Sequence, residues 1–329
     1  MHVISKKETT TQIHYKFAVH VLYKNHLPNQ HPILLTISGG QDSLCLLKLI
    51  TDFQHYYKWN IGIVYFDHKY RQDAHYNSKQ VLSLAKFFKI KTYIYEHKTQ
   101  YNSEIESREW RYKNIVYTAL YYQYSVITTA HTKTDRSETF FQYILRGCGT
   151  DSLRSIPFKT RILHKVTAIR PLILFSRLET LWISRKFSLP IWSDFTNYKY
   201  KMRRNRLREE LLPYLQQHFQ PQIHNVIQAI ADRVQVDSEY LQKATIKLYF
   251  SIKHPKFIAI NYLTLLQQPE ALQYRILKLF FKHNFNLQVT QKNISNIIRM
   301  AQEKNTQFQY ITHSKLKLCL AYNWFFSLN

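Results

Sequence analysis

Residues 33–50, ILLTISGGQDSLCLLKLI, constrain the fold more than any other stretch. A short aliphatic run ends in two adjacent glycines, and apolar Leu44, Leu47 and Ile50 then recur at helical spacing. An unbroken apolar run of that length suits a strand buried on both faces, and the spacing beyond it predicts a helix. The chain has only five glycines in 329 residues, and four of them (Gly39, Gly40, Gly147, Gly149) lie in two short loops. Glycine used so sparingly marks turns where backbone must bend tightly or approach another group closely.

The same alternation continues downstream. Strands are predicted at 33–37, 61–66, 92–95 and 126–129, with helices from Ser43, near 78–88, near 108–122 and from Asp135. Strands alternating with helices predict an α/β fold, a doubly wound parallel sheet with helices on both faces. Ligands of such sheets bind beyond the carboxyl ends of the strands. The loop Ser38–Ser43, the pair Asp67 and His68, and the stretch 130–138 all fall there. The pattern changes around Pro213–Pro221, so a boundary is expected near 216. Residues 217–329 are expected to form a second, smaller, mainly helical domain, with strand-like pieces in the tail.

Charge narrows the partner. The 46 Lys and Arg against 21 Asp and Glu leave a formal net charge of +25, more than solubility requires. A polyanion such as nucleic acid is the economical partner, because neutralised phosphates release counterions. No apolar run approaches the ~18 residues needed to cross a bilayer, and the N-terminus lacks the apolar centre of a signal peptide. A soluble protein with no membrane partner is expected. Cys45, Cys148 and Cys319 form neither a CxxC pair nor a zinc spacing, as expected of reduced thiols. Abundant Lys, Ile, Asn, Tyr and Phe suggest an AT-rich genome, for which an organelle is one source.

The glycine loop predicts chemistry. Consecutive N–H groups at a helix start make an anion nest, and Ser38 and Ser43 add hydroxyl donors. Asp42 would repel a phosphate unless a divalent cation lies between them, so Mg²⁺ held by Asp42 and phosphate oxygens is expected. The loop is not a Walker A motif, because no Gly-Lys-Ser/Thr follows. A plain strand-to-helix turn is the structural alternative.

The SGGxDS pattern resembles the pyrophosphate loop of the N-type ATP pyrophosphatases, whose fold is Rossmann-like, of the adenine nucleotide alpha hydrolase kind. The blocks YFDHKYRQDA (65–74), SREWRY (107–112), TAHTKTDRSETFFQYILRGCGTDSLRSIP (129–157), RPLI (170–173) and SDFTNYKYKMRRNRLREELLP (193–213) follow in the order seen in the tRNA(Ile)-lysidine synthetase family. The resemblance is dense over 31–215 and loose beyond. It implies an enzyme that uses ATP to adenylate the carbon-2 oxygen of the wobble cytidine in a CAU-anticodon isoleucine tRNA. Free L-lysine then displaces AMP to give lysidine. A short plastid-like form is implied, in the plastid stroma or otherwise the cytoplasm, with a homodimer left open.

The resemblance also distributes roles. Ser38, Gly39, Gly40, Gln41, Asp42, Ser43, Asp67 and His68 would bind ATP, with Asp42 holding the metal. Asp135 and Glu138, three apart and on one helical face, would hold lysine; spacing alone slightly favours a capping box with Asp135 as N-cap. Arg108 would stabilise phosphate charge and His131 would donate or accept hydrogen bonds, so Asp42, Asp135, Arg108 and His131 form the expected catalytic set. Arg204, Asn205 and Arg208 match an RN-x-x-R motif and would contact tRNA or the active site. The interleaved aromatics Phe195, Tyr198 and Tyr200 could stack on bases, although core packing suits them as well. The chain departs from the family at Thr132, Lys133 and Thr134, where a second histidine and a first acid are usual, and at Cys148. A related thiolase or a catalytically degenerate tRNA-binding module are the competing readings.

Overall fold

The computed structural model describes residues 11–23, 26–27, 29–67, 74–97, 104–163, 165–192, 203–303, 309–310 and 317–328. It divides into two compact units, Met1–Arg233 and Val234–Asn329.

In the first unit, α1 (Gln12–Phe17) runs into one π-helical turn, Ala18–Leu22. Then β1 (Pro32–Ile37), α2 (Gln41–Tyr57), β2 (Asn60–Asp67), α3 (Ala74–Phe87), β3 (Lys91–Glu96), α4 (Glu104–Tyr121), β4 (Val126–Thr128) and α5 (Lys133–Leu145) alternate as expected. A short α6 (Thr150–Leu153), β5 (Lys159–Leu163), β6 (Val166–Ile169), α7 (Arg177–Lys186) and α8 (Arg203–Arg206) follow. A second π-helical turn, Leu207–Leu211, leads into α9 (Leu212–His218) and the long α10 (Ile223–Ile252).

The strand order is β3-β2-β1-β4-β6-β5, parallel throughout except for β5, which pairs antiparallel with β6. The chain winds outward from β1 through β2 to β3, then crosses back to lay β4 on the other side of β1. The gap between the carboxyl ends of β1 and β4 is therefore the topological switch point, where such sheets bind ligands. Ile33, Leu35 and Ile37 of β1 enter one core with α2 and α7 residues, while Leu34 enters another with Ala119, Tyr124 and Ile127. Both faces of the sheet are covered, which is why β1 is apolar at successive positions. Gly62 in β2 has a packing reason, since a Cβ there would overlap the Tyr124 hydroxyl.

The two-unit division falls within α10, beyond the expected boundary near 216. The first turns of α10 place Ile227 and Ala231 against Phe140 of α5 and Leu212 of α9, and Arg136 meets Asp232 at 2.7 Å. The second unit holds the rest of α10, β7 (Ala259–Asn261), α11 (Tyr262–Leu266), α12 (Glu270–Phe285) and α13 (Gln291–Gln302). With β8 (Gln309–Tyr310), β9 (Lys317–Ala321) and β10 (Trp324–Leu328), β7 forms an antiparallel sheet ordered β7-β10-β9-β8. Phe280, Phe281, Ile294 and Phe325 centre its core. Among the described residues, no helix is long and apolar enough to cross a membrane.

Candidate active site

The loop after β1 is built by its own side chains. Gly39 adopts φ +82°, a conformation that suits glycine, and Gly40 is the N-cap of α2. The Ser43 hydroxyl donates to Gly40 O at 2.8 Å and accepts from Ser38 N at 3.2 Å, closing the turn on itself. Asn77 of α3 donates to Ser38 O at 3.1 Å and lies where a Gly39 Cβ would be. From the other side, Trp192 N donates to Gly39 O at 3.0 Å. The turn at the start of α2 is thus fixed from both sides at the switch point, the place where the anion nest was expected.

Asp42 lies in the first turn of α2, and α7 orients it. The Thr180 hydroxyl, fully buried, donates to Asp42 Oδ1 at 2.5 Å, and Gln41 Nε2 donates to the Arg177 carbonyl at 2.8 Å. Asp42 Oδ2 has a longer contact, with Arg177 Nε at 3.8 Å. One carboxylate oxygen is therefore anchored and the other is loosely engaged, which fits a hard divalent cation that shares a single carboxylate with phosphate oxygens. Burial pushes the Asp42 carboxyl above the usual range, against the Thr180 hydrogen bond and the Arg177 charge. Asp135 raises it further and Arg208 lowers it, so the glycine loop and the start of α5 share one electrostatic site.

Asp67, at the carboxyl end of β2, is 6 % exposed. Its Oδ2 accepts from Ser78 at 2.7 Å, while Oδ1, like Asn77 Oδ1, is buried with no hydrogen-bond partner among the described residues. A buried acceptor left without a donor beside the loop, as Asp67 Oδ1 is among the described residues, is a candidate to meet a ligand. His68 lies outside the described residues, as do Phe195, Tyr198 and Tyr200.

Beyond β4, the Thr129 hydroxyl pairs with His131 Nδ1 at 2.8 Å. Burial pulls the His131 imidazole down to about 4, with Arg170, Arg204 and Arg108 adding to the effect against Asp135. His131 is therefore neutral at pH 7. Thr132, not Asp135, is the N-cap of α5. Asp135 reaches back, its Oδ2 accepting from Thr132 N at 2.8 Å and Thr132 Oγ1 at 2.9 Å. The capping pair is thus one turn earlier than spacing favoured, and Glu138 has no part in it.

Glu138 is fully buried and turned to two arginines. Arg204 spans both acids, with Nε 2.6 Å from Glu138 Oε2 and Nη2 2.7 Å from Asp135 Oδ1. Arg208, in the second π-helical turn, lies 2.5 Å from Glu138 Oε1 and 3.5 Å from Asp135 Oδ1. Burial raises the Asp135 carboxyl, but Arg204, His131, Thr132 and Arg208 outweigh it and leave the group below the usual range. Asp135 is thus a fixed anion at neutral pH. Asn205 is buried between the two arginines in sequence, so of the RN-x-x-R trio the arginines face the acids.

Arg108 is exposed on α4, yet its charge reaches both His131 and Arg170. Arg170 closes the loop before β5 through Pro157 O at 2.8 Å and the Thr160 hydroxyl at 3.0 Å. Sequence reasoning missed Asn77, Arg177 and Thr180. RPLI (170–173) carried a family signal, but nothing local tells that Thr180, seven residues beyond it, meets Asp42 across 138 positions.

The PP-loop domain family matches residues 9–215. The chain is 38% identical to the chloroplastic tRNA(Ile)-lysidine synthase of Pyropia yezoensis, over 88% of each chain. It is 39% identical to the chloroplastic tRNA(Ile)-lysidine synthase of Gracilaria tenuistipitata var. liui, over 97% of this chain and 99% of that one. The tRNA(Ile)-lysidine synthase of Nostoc sp. is 34% identical over 82% of each. Among solved structures, the U34-tRNA thiolase NcsA from Methanococcus maripaludis superposes with a TM-score of 0.58 at 15% identity, covering 67% of this chain and 76% of that one. At that identity the likeness shows the fold.

Proposed function

We infer the division of labour in the site from one premise: the chain belongs to the tRNA(Ile)-lysidine synthase family and carries its PP-loop domain. It is an ATP-dependent enzyme that forms lysidine on tRNA(Ile). The wobble cytidine of the CAU anticodon is the acceptor in this reading. Its carbon-2 oxygen bonds to the α-phosphorus of ATP and diphosphate leaves. The amine of L-lysine then bonds to carbon 2, gives up a proton, and AMP departs with the oxygen.

The amides of Gly39 and Gly40 and the hydroxyls of Ser38 and Ser43 take the β,γ end of ATP, with Gln41 bracing the turn against α7. Asp67 Oδ1 is the acceptor for a nucleoside hydroxyl or amine, and His68 belongs to the same pocket. Asp42 would hold Mg²⁺, which would supply charge neutralisation at the phosphates. Thr180 keeps Asp42 aimed at the loop. Arg108 meets phosphate charge as the α-phosphorus is attacked. His131, neutral, offers Nε2 as a hydrogen-bond partner rather than as a cationic acid. Asp135 and Glu138 draw in lysine by charge, and Arg204, Asn205 and Arg208 stand beside them on the tRNA side. The basic surplus attracts the tRNA, whose unpaired anticodon base can be turned into the site. The chloroplastic relatives support a plastid stroma location.

The observation that carries this reading is that the glycine loop and the acids follow adjacent parallel strands, β1 and β4, so that the charge of Asp135 reaches Asp42, remote from it in sequence. Cys45, beside the glycine loop, is fully buried with its thiol pushed up by that burial, so it is not the accessible thiol a thiolase would need. The test is incubation of the protein with ATP, Mg²⁺, labelled lysine and a CAU-anticodon isoleucine tRNA transcript. Label is expected in the tRNA with AMP and diphosphate released. Sulfur transfer without lysine incorporation would overturn it.

A further inference from the structure

The lysine subsite is already occupied by the chain's own cations. Four carboxylate oxygens are available on Asp135 and Glu138, and the chain's own donors take every one. Asp135 Oδ2 caps α5 through Thr132, and Asp135 Oδ1, Glu138 Oε1 and Glu138 Oε2 accept from guanidiniums. Two acids and two arginines also balance in charge. A lysine ammonium added to that set would leave one surplus positive charge beside a fully buried glutamate, an arrangement that low-dielectric surroundings penalise. Binding therefore has to be an exchange of one cation for another.

The two arginines differ in which of them can leave. Arg208 is 18% exposed and sits within the π-helical turn Leu207–Leu211, next to buried Leu207. Arg204 is 37% exposed and lies one turn earlier on the same continuous helical stretch, in its first described turn. Arg204 is also the one that bridges both acids with short contacts, at 2.6 and 2.7 Å, as a bound substrate ammonium would.

We propose that Arg204 is a placeholder in the lysine subsite, its guanidinium covering Asp135 Oδ1 and Glu138 Oε2 until the ammonium of free lysine displaces it. The inference rests on the assignment of Asp135 and Glu138 to lysine. Arg204 is a positioning and specificity residue, not a catalytic one. It keeps the buried acids paired in the empty enzyme, and it makes entry conditional on a cation able to replace a guanidinium. The apparent affinity for lysine is scaled down to the fraction of molecules in which Arg204 is unseated.

The test is calorimetric titration of L-lysine into the full chain without ATP or tRNA. Arg204→Met keeps the stem and removes the charge, and it is expected to tighten lysine about tenfold, the inverse of a competent fraction near one-tenth. Guanidinium ion at millimolar level, far below denaturing concentrations, should cancel that gain. Arg208→Met should bring no tightening. If Arg204→Met fails to fold, as judged by circular dichroism, Arg204→Lys replaces it; its single-point ammonium is displaced more easily, so tightening is again expected. Unchanged or weaker lysine binding in the folded Arg204 variant, with Asp135→Asn abolishing it, overturns the placeholder and leaves the acids as lysine ligands. Lysine binding that survives both Asp135→Asn and Glu138→Gln overturns the assignment of the acids itself.

Discussion

At the scale of single residues, Asp42 carries two opposed demands. Burial holds its carboxyl above the usual range, so the folded chain holds that proton more tightly than the unfolded one does. A raised carboxylate costs stability at pH values where it must ionise, and the cost vanishes in acid. Asp42→Asn is therefore expected to melt higher than the parent at pH 7 and alike at acidic pH, in the absence of nucleotide, while losing lysidine formation. Thr180→Val removes the donor that favours the ionised form. It should raise KM for ATP–Mg²⁺ about tenfold or more, the size of a lost hydrogen bond to a charged group. It should also move the acidic limb of ATP binding to higher pH; an unmoved limb would separate Thr180 from Asp42. With His131 down at about 4, no imidazole limb from it is expected between pH 6 and 8, and His131→Gln should leave the profile's shape in that range unchanged.

Secondary elements carry the next constraints. The predicted α/β alternation holds at every strand from β1 to β4, because each is a short run of β-branched, aliphatic or aromatic residues closed by a turn. Helix α5 was harder to start from sequence. Asp135 and Glu138 satisfy the capping spacing, but Thr132 caps the helix, and that displacement releases Glu138 to face Arg204 and Arg208. Two overlapping i, i+3 pairs compete for one helix start, and the contacts made by the second acid decide between them. Strand β2 offers a test of packing. Gly62→Ala puts a methyl group into the Tyr124 hydroxyl. It should destabilise the first unit by about 1–3 kcal/mol, as overpacking does. Tyr124→Phe in the same chain should recover part of that loss in a denaturant melt; no recovery would place the strain elsewhere.

For the whole molecule, the charge of +25 and the course of α10 matter most. Affinity for a tRNA should fall steeply between 50 and 200 mM salt, with a log–log slope of several units. A flat salt dependence would remove the electrostatic account of the basic surplus. The first turns of α10 cover Phe140 and Leu212, so a chain ending after Arg233 is expected to stay monodisperse. One ending at 216 uncovers that apolar face and should aggregate or lose its cooperative melt.

Sequence alone determined the four strands from β1 to β4, the glycine turn and the family, because these are written in neighbouring residues: apolar runs, paired glycines and ordered blocks. Tertiary structure alone decided which groups meet. Thr180 on Asp42, Asn77 against Gly39, and the arginines on Asp135 and Glu138 join positions 38 to 138 apart. Local propensity carries no trace of such pairings. They arise when winding about β1 brings the carboxyl ends of its neighbours together and buried charges must find partners.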